Sequence, residues 1–394
     1  MFLDVEHLSP VETLALFERA RLVHLAAEGE EGPVLRAVHP VVVDGVLHFH
    51  GSPRGEKMEV LGRPAVIVTE EVLATLPSTW QHAERACPAT TYFRSAHARG
   101  TLEAVDDPVA KARVLQAMMV VYQPEGGYRP ITHDDPMYAA AVRNIAVVRL
   151  ANATLVGRRK VGQNKSPEVR RAIMRQLWKR GAPGDLAALD AMVDATPEQC
   201  PAFLSHGTAR FVTQPRAHVD AVVALLSGAY WQRGASSDRI GRMHLGSAAW
   251  VVAVDGGEVV ASARAVSDTA KYAYVMDVIV RADRRGQGLG RALTACLLDH
   301  PAVRDCARVE LHTRDAQGVY AALGFGPMVD PEWRVGMRLA RGQLEHDSAG
   351  VAGLADTLVD LASHTRSEGH VEPAEQAVVG DAVAEGEEHR LDVL

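Results

Sequence analysis

The stretch richest in chemistry begins at an apolar run, Tyr274-Val-Met-Asp-Val-Ile-Val280, and passes through Arg-Ala-Asp-Arg into Arg285, Gly286, Gln287, Gly288, Leu289 and Gly290. Helical spacing resumes at Arg291-Ala-Leu-Thr-Ala-Cys-Leu-Leu. A strand thus feeds a glycine-rich turn at a helix N-terminus. Unpaired amides and the positive end of the helix dipole converge there, which suits a pyrophosphate. Glycine lets phosphates come close to the backbone. Taken alone, the glycine pattern also fits a structural turn or another nucleotide fold.

The surroundings narrow the reading. Arg285 directly precedes the first glycine, and Asp315-Ala-Gln-Gly-Val-Tyr320-Ala-Ala-Leu-Gly324-Phe325 follows. Together these resemble the Arg/Gln-x-x-Gly-x-Gly loop and the later Tyr-x-x-x-Gly-Phe segment of the GNAT N-acetyltransferases, over roughly residues 210–340. The resemblance implies two parallel strands that splay to admit the pantetheine arm of acetyl-CoA, with the backbone of Val278 and Val280 bonding the arm. The amides of Arg285 to Gly290 would then bind the pyrophosphate. Tyr320 matches the tyrosine that protonates the departing CoA thiolate; the alternative is a ring packed under the Gly324-Phe325 turn.

Acetyl transfer also needs an amine that has lost its proton. Asp277, a carboxylate inside an apolar strand, is the candidate acceptor, since burial raises a carboxyl pKa toward a useful value. The competing reading pairs Asp277 with Arg264 or another arginine. Tyr272, Tyr274, Tyr230, Trp231 and His312 are candidates to line the acceptor site. Nothing marks a peptide-binding groove, so a small-molecule amine is favoured over a protein lysine.

A second constellation lies in the N-terminal half, in Leu47-His-Phe-His-Gly-Ser-Pro-Arg-Gly-Glu-Lys-Met58. Ser52, Arg54 and Lys57 offer hydroxyl, guanidinium and ammonium donors to a phosphate, although such a trio is also an ordinary solvated helix start. With Tyr92-Phe-Arg-Ser-Ala-His-Ala-Arg-Gly-Thr-Leu-Glu103 and Lys160-Val-Gly-Gln-Asn-Lys-Ser166, the region 20–166 resembles the pyridoxamine-phosphate-oxidase-like FMN-binding split barrels, in particular the nitroimidazole-resistance and PaiB-like branches. That resemblance implies FMN on Ser52, Arg54 and Lys57. It sets Arg94, Ser95, Lys160 and Gln163 near the flavin or across the interface of a homodimer formed through the barrel. Haem is a lesser alternative, because His48 and His50 share one strand face; no metal site is expected.

These sites need two folds to hold them. Asp44-Gly45 between β-branched runs predicts a hairpin. Strands are expected at 65–70, 92–102 and 145–156 and a helix at 108–122, giving a mainly-β split barrel over 1–166. Residues 167–205 read as a helical linker, with a helix at 167–180 broken at 181–184. From 206 to 340 the expected order is helix 217–230, strands 249–255, 259–267 and 273–280, helix 288–300, strand 308–313 and helix 316–323, which suits a mixed α/β GNAT domain. Residues 341–394 form an acidic tail, mostly disordered by composition.

The chain has 394 residues and a formal net charge of −7. The tail supplies about a dozen acidic residues, so the body is near neutral. No basic face with interleaved aromatics appears, which argues against nucleic acid. The N-terminus lacks a leader pattern, no apolar run approaches the ~20 residues of a membrane span, and four separated cysteines suggest a reducing cytoplasm. The functional expectation is a bifunctional enzyme: an acetyl-CoA-dependent N-acetyltransferase fused to an FMN-dependent oxidoreductase-like domain. The alternatives are a flavin-sensing regulator with an accessory acetyltransferase, and a haem-binding or cofactor-free dimerisation barrel carrying one.

Overall fold

The computed structural model describes residues 6–328. The expected acidic tail and the last stretch of the 206–340 domain lie outside the described residues. Strand β1 (Glu6–Leu8) leads into helix α1 (Pro10–Arg19), for which the sequence reading had no element. Its signals are local: Pro10 takes the first turn, and Ser9 and Glu12 cap one another reciprocally, which satisfies two otherwise orphaned amides.

Strands β2 (Val23–Glu28), β3 (Pro33–Val38), β4 (Val41–Val43) and β5 (Val46–Gly51) follow, then a short helix α2 (Glu56–Glu59) and the long strands β6 (Pro64–Leu76) and β7 (Thr90–Ala104). Helices α3 (Pro108–Tyr122) and α4 (Ala139–Asn144) precede β8 (Ala146–Lys160). The sheet runs β3-β2-β6-β7-β8-β5-β4, with β1 added on β8. Asp44 and Gly45 both have positive φ, 53° and 75°, as a two-residue hairpin turn requires. Side-chain alternation sends Leu25, Phe49, Ile67, Leu102 and Leu150 into one core under α1. The result is a mainly-β half-barrel, longer in β6 to β8 than expected because bulges bend these strands without ending them.

Residues 167–205 do more than link. Helix α5 (Pro167–Arg180), capped by Ser166 and closed by Gly181 at φ 60°, and helix α6 (Asp185–Ala195) bury Ile173, Met174, Leu177, Leu189 and Met192. These pack in one core with Leu76 and Tyr92 of the half-barrel, with Val251 of the next sheet and with Leu293 and Leu297 of the helix that covers it. Arg170 is fully buried and donates to the carbonyls of Val161 (3.0 Å) and Met192 (2.9 Å), to Thr196 Oγ1 (2.6 Å) and to Gln199 Oε1 (3.1 Å).

The second sheet has the order β14-β13-β12-β11-β10-β9, built from β9 (Ser205–His206), β10 (Ala209–Val212), β11 (Ala249–Asp255), β12 (Glu258–Ser267), β13 (Tyr272–Val280) and β14 (Arg308–Glu310). Helices α7 (Val219–Leu226) and α8 (Ser237–Leu245) cover one face, against Trp250, Val252 and Ile279. Helix α9 (Leu289–Leu298) covers the other, against Ala261, Ala263 and Ala265. The central strands are therefore buried on both sides and read as mainly apolar runs, interrupted by the buried Ser262 and Arg264 of β12. Helix α10 (Gln317–Ala321) follows β14. The expected helix 217–230 ends at Leu226, before Ser227-Gly228, so Tyr230 and Trp231 sit on a separate 3-10 turn.

The joint between α5 and α9 carries a pH dependence. His300, just beyond α9, is 4% exposed; its Nδ1 accepts from the Ala302 amide at 3.1 Å and its ring meets Trp178 edge-on. Burial, reinforced by Arg304, lowers its pKa to about 4. A folded pKa below the ordinary 6.5 means that this stabilisation is present above about pH 6.5 and is lost as pH falls toward 4. His300→Asn should flatten the loss of stability between pH 6.5 and 4 in urea unfolding. An unchanged slope would assign that loss to other groups.

Candidate functional site

The parallel pairing of β13 with β14 covers only Tyr272, Ala273 and Tyr274 against Arg308, Val309 and Glu310. Strand β13 continues to Val280, so the two strands part after Tyr274, as the resemblance implied. Within the same stretch β13 is bulged. Ser262 faces Ile279 and Arg264 faces Met276, so Asp277 and Val278 together oppose Ala263, and Asp277 has φ 51°. A bulge re-aims side chains and increases twist. Two adjoining cavities open along this edge. One, of about 850 Å³, is lined by Val278, Val280, Arg285, Gly286, Gly288 and Gly290. The other, of about 260 Å³, is lined by Tyr230, Trp231, Tyr274, Asp277 and His312. Tyr320 and Val278 face both.

The glycine loop is built for backbone approach. Gly286 and Gly288 have φ 74° and 81°, a region costly for other residues. Gly288 caps α9 without any side-chain hydrogen bond, which leaves the first amides of the helix facing the larger cavity. At Gly290 a Cβ would lie 3.2 Å from Val280 Cγ2, so glycine there sets the helix against β13. Leu289 is an anchor in the core. Arg285 Nε donates to the Val280 carbonyl at 3.0 Å, bracing the strand end. His206, absent from the sequence reading, donates through Nε2 to the Gln287 carbonyl at 2.8 Å. It arrives from β9, some eighty residues earlier in the chain, and no local pattern announces it.

The expectation that Asp277 takes the amine's proton is revised. Arg264 Nε donates to its Oδ2 at 2.6 Å, with both side chains 6% exposed. Gln232 Nε2 and Trp231 Nε1 donate to Oδ1 at 2.7 and 3.1 Å. A carboxylate facing a guanidinium and two further donors has its lone pairs engaged by neighbours within the chain. The Arg264 pairing left open from the sequence is the observed one, and it ties the Tyr230 turn to the bulge. Tyr320 has its pKa raised, by burial first and then by Tyr230 and Asp315, so its phenol keeps its proton. Its ring also meets Phe325 edge-on at 6.0 Å, so facing the cavities and packing at the turn are compatible.

In the half-barrel, Ser52, Arg54 and Lys57 gather after β5, where the Arg54 amide donates to Ser52 Oγ at 3.2 Å. A Cβ on Gly51 would lie 2.6 Å from Lys57 Nζ, so this glycine lets the ammonium fold over the strand end. A cavity of about 210 Å³ lies beside it, lined by Arg36, His39, His50 and Lys57. Arg94, Ser95, Lys160 and Gln163 are elsewhere. Gly51 pairs with Ala146 at one end of β8, whereas Arg94, Ser95 and Lys160 adjoin its other end. The two groups therefore do not meet around one ligand within the chain. Gln163 is engaged with the Arg159 carbonyl and the Val161 amide, and Lys160 with Thr90. His48 is buried against the Val46 carbonyl and His50 contacts Met118 Sδ; burial lowers both pKa values. Among the described residues no three His, Cys, Asp or Glu side chains cluster to hold a metal ion, and no helix is long and apolar enough to cross a membrane.

Residues 9–159 match the family model described as pyridoxamine 5'-phosphate oxidase, and residues 219–325 match that of the acetyltransferase (GNAT) family. No curated protein matches the chain. Among solved structures, a protein described as a GNAT-family acetyltransferase from Xanthomonas campestris pv. campestris is 26% identical, with 34% of this chain and 96% of that one covered and a TM-score of 0.30. One described as a 5-nitroimidazole antibiotic resistance protein from Bacteroides thetaiotaomicron is 20% identical, covering 40% and 93%, with a TM-score of 0.30. A FAD and haem binding protein from Mycobacterium smegmatis is 18% identical, covering 42% and 78%, with a TM-score of 0.34.

Proposed function

We propose that this chain, which joins a pyridoxamine 5'-phosphate oxidase-like half-barrel to a GNAT acetyltransferase domain, transfers the acetyl group of acetyl-CoA to a small-molecule amine. The carrying observation is the unpaired edge of β13, which ends at the glycine loop and faces Tyr320 across two joined cavities. In this reading the amides from Arg285 to Gly290 hold the pyrophosphate at the start of α9, and the backbone of Val278 and Val280 aligns the pantetheine arm. The amine nitrogen attacks the thioester carbonyl carbon, the C–S bond breaks, and the phenol of Tyr320 gives its proton to the departing thiolate. Much of the rate comes from holding amine and thioester together. Tyr320→Phe should lower kcat by about 100-fold while calorimetry finds acetyl-CoA affinity unchanged. Full turnover by that variant at every pH would remove the acid role.

The half-barrel is proposed to bind FMN, with its phosphate on Ser52, Arg54 and Lys57. The supporting observation is the ammonium of Lys57 folded over Gly51 beside exposed hydroxyl and guanidinium donors. Bound flavin would supply hydride chemistry, making the domain oxidoreductase-like; the chain's own groups would bind and orient it. Arg94, Ser95, Lys160 and Gln163 would approach that flavin from a second copy of the chain, in a homodimer. The purified protein should show flavin absorption and sediment as a dimer. A sharp Soret band would point to haem instead, and a colourless protein that takes up neither FMN nor FAD would leave the barrel a scaffold.

A further inference from the structure

With Asp277 engaged by Arg264, Gln232 and Trp231, the proton released by the amine needs another acceptor near the thioester. The smaller cavity supplies one. His312 lies just past β14, where that strand has parted from β13, and its Nδ1 is hydrogen-bonded to the phenol oxygen of Tyr274, the last residue of β13 paired with β14. The two rings are tilted by 35° with centroids 5.6 Å apart. Both line the cavity that Tyr320 shares with the acetyl-CoA side. An imidazole is the side chain whose ordinary titration lies nearest neutral pH.

We propose that His312, oriented by Tyr274, is the group that accepts the amine's proton during acetyl transfer. The inference rests on the acetyl-transfer reading above and adds the missing half of its proton balance. The nitrogen–hydrogen pair of the attacking amine becomes a nitrogen–carbon bond, its proton passes to the imidazole, the C–S bond breaks, and the thiolate takes a proton from Tyr320. Solvent then carries the proton from the imidazolium back to the tyrosinate, so that an amine and a thioester become an amide and a thiol. The charged and titratable groups facing His312 are Tyr274 and Asp277 on β13, Tyr230 with Arg314 lying 3.8 Å over its ring, and Asp315 and Tyr320 beyond β14. Asp277 is neutralised by Arg264, which leaves His312 as the imidazole among phenols and paired charges. Tyr274 is a positioning residue: its hydroxyl fixes which way the ring faces.

The test uses the full chain with acetyl-CoA and, as probe, 2-phenylethylamine, whose ring suits a cavity walled by Tyr230, Trp231, Tyr274 and Tyr320. Release of CoA by the wild type should fall on the acid side of neutrality as an imidazole protonates. His312→Gln should lower kcat by about 100-fold or more, abolish that acid limb, and recover part of the rate when free imidazole is added. Its acetyl-CoA affinity should be unchanged, because His312 does not line the larger cavity. Tyr274→Phe should lower the plateau and keep the acid limb. A His312→Gln protein with wild-type turnover and the same acid limb overturns the assignment while leaving acetyl transfer standing. A wild type that binds no acetyl-CoA or releases no CoA overturns the acetyl-transfer reading itself, and this proposal with it.

Discussion

Replacing Gly288 by glutamate should weaken acetyl-CoA binding by at least about 100-fold with the fold retained. Two effects add. The backbone at Gly288 has φ 81°, and an L-residue held in that region costs roughly 1–2 kcal/mol. The new carboxylate would also stand among the amides that the pyrophosphate needs, placing two anions at one helix N-terminus. The position is exposed and a Cβ there meets only the His206 ring, at 3.5 Å, an ordinary contact. The damage should therefore stay local, with calorimetry reading the lost affinity and the melting temperature lowered by only a few degrees, as a strain of that size implies. Unaltered affinity in a folded Gly288→Glu protein would mean that the pyrophosphate lies elsewhere.

The largest stability effect is expected at Arg170. Its guanidinium is fully buried and supplies hydrogen bonds to two backbone carbonyls, a hydroxyl and an amide oxygen. Arg170→Met roughly keeps the volume but leaves the Val161 and Met192 carbonyls without that donor in the interior. Each such group costs about 1–3 kcal/mol, so a loss of about 2–6 kcal/mol in urea unfolding is expected. Because Arg170 joins the end of β8 to α5 and α6, whose core continues into the second sheet, probes in the half-barrel and in the second sheet should shift together. A variant within about 1 kcal/mol of wild type, the net worth of a single ordinary hydrogen bond, would show that the network adds little.

Much of the C-terminal half was legible in the residues themselves. The apolar run of β13, the positive-φ glycines and the helix after them act within a few residues of one another, and each is governed by backbone sterics and periodicity that sequence displays directly. The boundaries of α3, α5 and β11 follow the same logic, since proline, capping residues and glycine mark their ends. The half-barrel was less complete: α1 is signalled by its Ser9–Glu12 capping box, a pattern that could have been found. The expected helix 217–230 extends four residues beyond α7, which ends at Leu226 because Ser227-Gly228 breaks it.

Residue types and spacing alone determined that this chain carries a strand, a glycine turn and a helix able to receive a pyrophosphate, and a tyrosine placed to follow them. Tertiary structure decided what each side chain does there. Asp277 looked like a base because a carboxylate in an apolar strand is conspicuous, but a bulge turned it toward Arg264, Gln232 and Trp231. His206 and His312 gained their places only when distant strands came together. Likewise the two groups of candidate flavin residues fell at opposite ends of β8, a separation set by sheet pairing. Local conformational preference is written in neighbouring residues, whereas the partners of a buried charge are chosen by register and packing across the whole fold.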